Sequence, residues 1–313
     1  MEPPVDAADW LPAQPAWQPR PKFQDRIWLH GLLFVLTIVT TTYVGAGFYA
    51  GFVMGVTNQL PRMPWSALAG GLWYSGTALT ILTCHELGHY LACRYYNIDA
   101  SRPFFIPAPI SLGTMGAFIR IRERIRLKRE FFDIGIAGPI AGFLVTVPAL
   151  FIGLSMSTIV KMPDPAQGMV VIYGDSLLLK LASRMVFGSI AAGYDINAHP
   201  MVFGAWFGML ATALNLLPFG QLDGGHVSYC VLGRKSSYVS IATVMATAAL
   251  SLLAYSWSVW TVLLLLMMRL RGRDHPPVED EGAPLDRARL VLAAFALVIL
   301  ILCFMPVPIS FAQ

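Results

Sequence analysis

The chain has 313 residues, 56% hydrophobic and only 13% charged, with a formal net charge of +4. That excess is too small for a nucleic-acid-binding protein, and the basic residues gather beside apolar runs, as they do at the ends of membrane spans. Cys84, Cys93, Cys230 and Cys303 have no zinc-finger spacing and fall in or beside apolar segments, so they read as small buried residues rather than disulfides.

Residues 1–20 hold repeated prolines and lack the basic-then-apolar start of a cleavable secretory signal, so 1–26 is expected to be a flexible cytoplasmic tail. Residues 27–66 would form a retained first transmembrane helix, at 27–53, and an outer loop. Further spans are expected at 67–95, 131–154 and 201–217. The stretch 237–270 is too long for one crossing and is expected to fold back near Tyr255 and Ser256, and 290–305 ends before Pro306 and Pro308. The sum is about seven crossings, an all-α polytopic membrane protein. Arg20, Lys22, Arg26, Arg94, Arg102, the basic cluster at 120–129, Arg234, Lys235, Arg269, Arg271, Arg273, Arg287 and Arg289 all fall on one side of this arrangement. The positive-inside rule makes that side cytoplasmic, and Lys161, Lys180 and Arg184 count against it.

The second segment carries Thr83-Cys84-His85-Glu86-Leu87-Gly88-His89, after a run from 67 to 84 with no formally charged residue. On a helix His85 and His89 project from one face, where two neutral imidazoles can hold zinc while Glu86 accepts a proton from the attacking water. Such groups are costly at membrane depth, and a bound metal would supply the positive charge that a buried Glu86 needs. A catalytic zinc requires a third protein ligand and an open position. Asp223 is the candidate, in Asn215-Leu216-Leu217-Pro218-Phe219-Gly220-Gln221-Leu222-Asp223-Gly224-Gly225-His226. There the apolar run breaks at Pro218 into a glycine-rich turn, and irregular backbone at membrane depth is tolerated where it is buried in protein or lines a cavity.

Together, His-Glu-x-x-His and Asn-x-x-Pro-x-x-x-x-Asp-Gly, each on its own hydrophobic segment, resemble the site-2 protease family of intramembrane zinc metalloproteases, peptidase family M50. The similarity covers roughly residues 67–232. It implies one Zn²⁺ per chain held by His85, His89 and Asp223, with Glu86 as catalytic base and Asn215 contacting substrate or the developing oxyanion. It further implies a three-helix catalytic core within 67–235, with C-terminal transmembrane helices at 236–313. The expected substrate is a single-span protein in the lipid bilayer, cleaved in regulated intramembrane proteolysis after trimming by an upstream site-1-type protease. The expected location is a bacterial or archaeal cell membrane with the active site toward the cytoplasm. Two other readings compete. A catalytically silent relative would only bind membrane helices, but Glu86 stands beside a complete ligand set. A zinc transporter would have no use for Glu86 at its catalytic spacing.

Past the catalytic helix, Met115, Ala117, Ile119, Ile121, Ile125 and Leu127 alternate with Gly116, Phe118 and basic residues, which predicts a β-strand with one apolar and one basic face. The resemblance implies a membrane-associated β-hairpin here, whose edge pairs with extended substrate. Gly138-Pro139-Ile140-Ala141-Gly142 sets small residues four apart, a pattern for close helix packing without chemistry. Residues 175–187 read as an amphipathic helix capped by Asp175, with Leu177, Leu178, Leu181 and Met185 on one side. His226 is expected to orient a ligand rather than bind metal, and His199 and His275 to sit at membrane interfaces.

Overall fold

The computed structural model describes residues 22–57, 59, 64–109, 112–161, 170–271 and 278–312; the expected tail up to residue 21, and His275, lie outside them. The described chain is mostly helical with small antiparallel sheets. Helix α1 (Ile27–Thr57) buries His30, Thr37, Thr41 and Gly45 while exposing Leu32, Val35, Leu36 and Val39. Polar or small inward and apolar outward is the reverse of a soluble helix and suits a lipid surround.

Helix α2 (Pro64–Tyr95) packs on α1 where two glycines meet: a Cβ on Gly45 would fall 2.4 Å from the Gly71 carbonyl oxygen. Helix α3 (Lys128–Ser155) lies against α2 just as closely, since a Cβ on Gly88 would be 2.5 Å from the Ala137 oxygen. Helix α5 (Pro200–Asn215) ends three residues before Pro218, which cannot continue the hydrogen-bond ladder. The chain turns through Gly220, at φ +45°, and re-enters a helix as α6 (Asp223–Leu232). That turn is tight enough for a Cβ on Gly224 to sit 1.9 Å from the Leu216 oxygen, so only glycine fits. Helices α7 (Ser236–Leu250) and α8 (Ser256–Arg271) form the expected hairpin, turning at 251–255. Helix α9 (Arg287–Cys303) is capped by Asp286, whose carboxylate accepts from the Arg289 amide.

Among the described residues, α1 and α3 are both long and apolar enough to cross a membrane. The other crossings of the seven expected do not meet that test, for identifiable reasons. The span at 201–217 is interrupted by the Pro218 turn, and α7, α8 and α9, with 15, 16 and 17 residues, reach only about 22–26 Å against a hydrocarbon core of about 30 Å. Helix α2 is long enough at 32 residues, but its glycines, threonines and His-Glu-x-x-His residues lower its hydropathy.

The hairpin is present but shorter than the sequence alternation suggests. Strands β1 (Phe104–Pro107) and β2 (Thr114–Phe118) pair antiparallel, and the basic stretch after Ile121 runs irregularly to α3. Gly116, at φ +100°, breaks the alternation, leaving Met115 on the expected apolar face 78% exposed. The hairpin tip is pinned to the helices: Tyr74 donates to the Leu112 carbonyl and Thr40 to that of Gly113, both at 2.7 Å. Its base is tied to the segment before α1, where Arg122 pairs with Asp25 and Lys22 pairs with Glu123 at 2.8 Å.

At the opposite end of the helices, β3 (Thr158–Lys161) pairs with β5 (Tyr194–Asn197), and β4 (Val170–Tyr173) pairs with β6 (Ile309–Ala312). The amphipathic helix between them is α4 (Leu177–Phe187), with Ser176 as its cap in place of Asp175. The Ser176 hydroxyl accepts from the Leu179 amide at 3.1 Å, the reach an N-cap needs and one that Asp175, a residue further out, lacks. Leu177, Leu181 and Met185 face outward and Ala182 inward. All four cysteines are free, three buried and Cys84 half-buried.

Candidate metal centre

His85 and His89 lie one turn apart on α2, and Asp223 opens α6; the histidines are buried and Asp223 is half-buried. Their donor atoms converge: His85 Nε2 is 3.2 Å from Asp223 Oδ2, His89 Nε2 is 3.3 Å from the same oxygen, and the two Nε2 atoms are 3.2 Å apart. A tetrahedral zinc with bonds of about 2.0–2.1 Å sets its ligand atoms about 3.3 Å apart, so these three atoms match one face of such a tetrahedron and leave a fourth corner open. Two imidazoles and a carboxylate are also a donor set that zinc accepts. These residues form a group able to bind a metal ion.

The tautomer of His89 follows from its neighbour. The Ile134 carbonyl, 2.6 Å from Nδ1, can only accept, so Nδ1 carries the proton and Nε2 keeps its lone pair for metal. Glycines make room for this geometry. A Cβ on Gly138 would lie 2.1 Å from His89 Nε2, and one on Gly142 would lie 3.2 Å from His85 Cβ. Two small residues four apart on α3 thus face two histidines four apart on α2, in reversed order because the helices run antiparallel. The expected packing role is present, but it is exerted directly on the proposed ligands. The spacing of the two pairs was the available signal; nothing in the sequence singled out the Ile134 carbonyl.

Glu86 is 5% exposed and in electrostatic contact with His85, His89 and Asp223, with the backbone N–H of Ile119, just past β2, nearby. The last residue of α5, Asn215, brings its amide nitrogen to 3.2 Å from His85 Nε2. His226 packs edge-on against Phe131, with ring centroids 4.6 Å apart, and is outside the three-donor group. His199 is elsewhere, capping α5 between the rings of Phe52 and Trp73.

A helical chain with apolar outer faces, whose His-Glu-x-x-His helix meets a carboxylate from a distant helix start, has the make-up of a metallopeptidase. The chain belongs to peptidase family M50, whose family model matches residues 77–255. It is 31% identical over 243 residues to the probable zinc metalloprotease EGY2, chloroplastic, of Arabidopsis thaliana, an alignment covering 75% of this chain and 41% of that protein. It is 32% identical over 241 residues to the probable zinc metalloprotease EGY1, chloroplastic, of the same plant, covering 73% and 42%. A probable zinc metalloprotease EGY2 of Oryza sativa subsp. indica is 27% identical over 248 residues, covering 78% and 44%. The chain therefore spans about two fifths of the length of these relatives. Their chloroplastic plant names do not fit the expected bacterial or archaeal membrane. No solved structure matches the chain.

Proposed function

We propose that the chain is an intramembrane zinc metalloprotease that hydrolyses peptide bonds in or near the membrane segments of other proteins. The observation that carries this reading is the triangle of His85, His89 and Asp223 donor atoms, 3.2–3.3 Å on each side, with Glu86 buried against it. Bound there, zinc supplies Lewis acidity, lowering the pKa of water and polarising a carbonyl. Glu86 takes the proton of the attacking water and passes it to the leaving amine. The Ile119 amide, close to the Glu86 carboxylate, would help to steady it for both transfers. Asn215, at the rim of the cluster, orients the scissile carbonyl.

A helical substrate keeps its amides bonded within itself, and hydrolysis needs an extended peptide. The outer edge of β2 offers a strand to pair with, replacing some of the hydrogen bonds lost on unwinding. His85 lies ten residues before the end of α2, about 15 Å from the basic residues beyond it, which supports chemistry nearer the basic face of the membrane. About seven crossings, with a three-helix catalytic core in 67–235 and further helices in 236–313, complete the proposal. So do a single-span substrate, a regulatory setting and an upstream site-1-type protease.

The test is co-expression with a panel of single-span membrane proteins, comparing wild type with Glu86→Gln and measuring zinc in both. Wild type should cleave at least one substrate, and Glu86→Gln should keep its zinc and cleave none. Zinc binding without any cleavage by wild type would favour the silent scaffold, and cleavage surviving in Glu86→Gln would remove Glu86 as base.

A further inference from the structure

His89 is oriented by a backbone carbonyl, so whatever fixes that carbonyl fixes the ligand. The carbonyl belongs to Ile134, in the second turn of α3. This turn is not secured by its own helix ladder alone, because Pro139 has no N–H to give to the Gly135 oxygen four residues back. The turn also reaches the third ligand: a Cβ on Gly135 would lie 2.9 Å from His226 Cβ and 3.7 Å from the Asp223 carbonyl oxygen.

The residue before Ile134 is Asp133, and three donors from two other elements converge on its carboxylate. Tyr96, just past the end of α2, donates its hydroxyl to Oδ2 at 2.5 Å. Arg289, in the first turn of α9, donates Nε to Oδ1 at 2.8 Å and Nη2 to Oδ2, a two-armed fork. The other arm of Arg289 is held by Asp286, which also caps α9. Both members of the Asp133–Arg289 pair are shielded, with side chains 23% and 22% exposed.

We infer that Asp133, Arg289 and Tyr96 are positioning residues of the metal centre: they lock the second turn of α3 so that the Ile134 carbonyl meets His89 Nδ1, and thereby make α9 a structural part of the site. This rests on the metalloprotease reading above. Neither residue of the ion pair touches metal or substrate; they act through Ile134. The end of α2 that carries the two histidines and the start of α3 that orients one of them are tied together by the same carboxylate.

Zinc affinity of detergent-purified full chain, measured by chelator competition, tests this together with the visible absorption of the cobalt-substituted protein. Asp133→Asn and Arg289→Ala should each lower zinc affinity about tenfold and shift the cobalt spectrum. The double variant should lose no more than either single change, since both remove one coupled contact. Tyr96→Phe, the mildest change, should give a loss of about threefold. Lys128→Ala is the control for a merely structural tether: its ammonium binds the Glu281 and Ala283 carbonyls at 2.8 Å and fastens the same end of α3 away from Ile134. It should lower the unfolding temperature and leave zinc affinity unchanged. Wild-type zinc affinity and cobalt spectra in Asp133→Asn, Arg289→Ala and Tyr96→Phe would overturn the inference, as would an equal loss in Lys128→Ala. Absence of zinc binding by wild type, or its survival in His89→Ala, would instead overturn the metal centre itself.

Discussion

Replacing Gly138 by alanine sets two effects of opposite sign against each other. In a helix interior, alanine is favoured over glycine by about 1 kcal/mol, because less backbone entropy is lost. At this position the added carbon would lie 2.1 Å from His89 Nε2, 2.4 Å from Cδ2 and 2.6 Å from Cε1. Contact between such atoms needs about 3.5 Å, so imidazole and helix must part by about 1.4 Å. The ring cannot turn aside without surrendering its 2.6 Å bond to Ile134. Overpacking of this kind costs about 1–3 kcal/mol, which cancels or outweighs the propensity gain. Metal ligation is less forgiving, since ligand distances hold to within about 0.2 Å. Gly138→Ala is therefore expected to leave the unfolding temperature near or slightly below wild type while zinc affinity falls by about 100-fold or more and proteolysis disappears. Two further glycines grade the effect. Gly142→Ala brings its Cβ to 3.2 Å from His85 Cβ, a squeeze of a few tenths, and should bind zinc several-fold more weakly. Gly76→Ala meets nothing within 4 Å and should be neutral or stabilising. Zinc content by mass spectrometry and cleavage in detergent check the series. Stoichiometric zinc and wild-type cleavage in Gly138→Ala would refute the close approach of α3 to the ligand.

The remaining expectations concern ligands, orientation and substrate capture. His85→Ala and Asp223→Ala should each lose zinc and proteolysis together, and full zinc in Asp223→Ala would remove it from the ligand set. Cysteines introduced at Arg124 or Arg126, both exposed, should react with impermeant reagents only from the cytoplasmic-type face, and one at Gln59 only from the other; reversed labelling would invert the orientation. Ile119→Pro removes the amide near Glu86 and should impair cleavage at full zinc, whereas Ala117→Pro should be partly rescued by a glycine or proline that loosens the substrate helix. Normal cleavage by both folded proline variants would reduce the hairpin to a topology-setting loop.

The three donors that converge were legible because each sits where its local pattern must break rules: histidines in an apolar helix, an aspartate after a proline-glycine turn. Helix positions were legible too, since long apolar runs leave few alternatives. What lay beyond reach depended on who meets whom. The hairpin shrank because Gly116 takes a positive φ that alternation does not encode, and its partner strand at 104–107 contains two prolines in or beside it, poor strand residues by propensity. The cap of α4 moved by one residue because Ser176 and Asp175 are equally plausible until the backbone is known.

The pattern of small residues has a physical reading that joins fold and site. In lipid, helices gain little from burying apolar side chains against each other, so close backbone approach through Gly45, Gly71, Gly88 and Gly138 must hold them together by packing and hydrogen bonds. Close approach has a second consequence at α2–α3: it brings a backbone carbonyl within 2.6 Å of a histidine nitrogen, doing for His89 what a carboxylate commonly does in soluble zinc sites. A neutral carbonyl orients the imidazole without adding another charge to a site that already holds a buried Glu86 and a half-buried Asp223. The charged groups inferred to steady that carbonyl, Asp133 and Arg289, stand near the starts of α3 and α9 and keep some exposure, where an ion pair costs less than at depth. The division follows from the solvent: charge at the rim, and backbone dipoles and glycine clearance at depth.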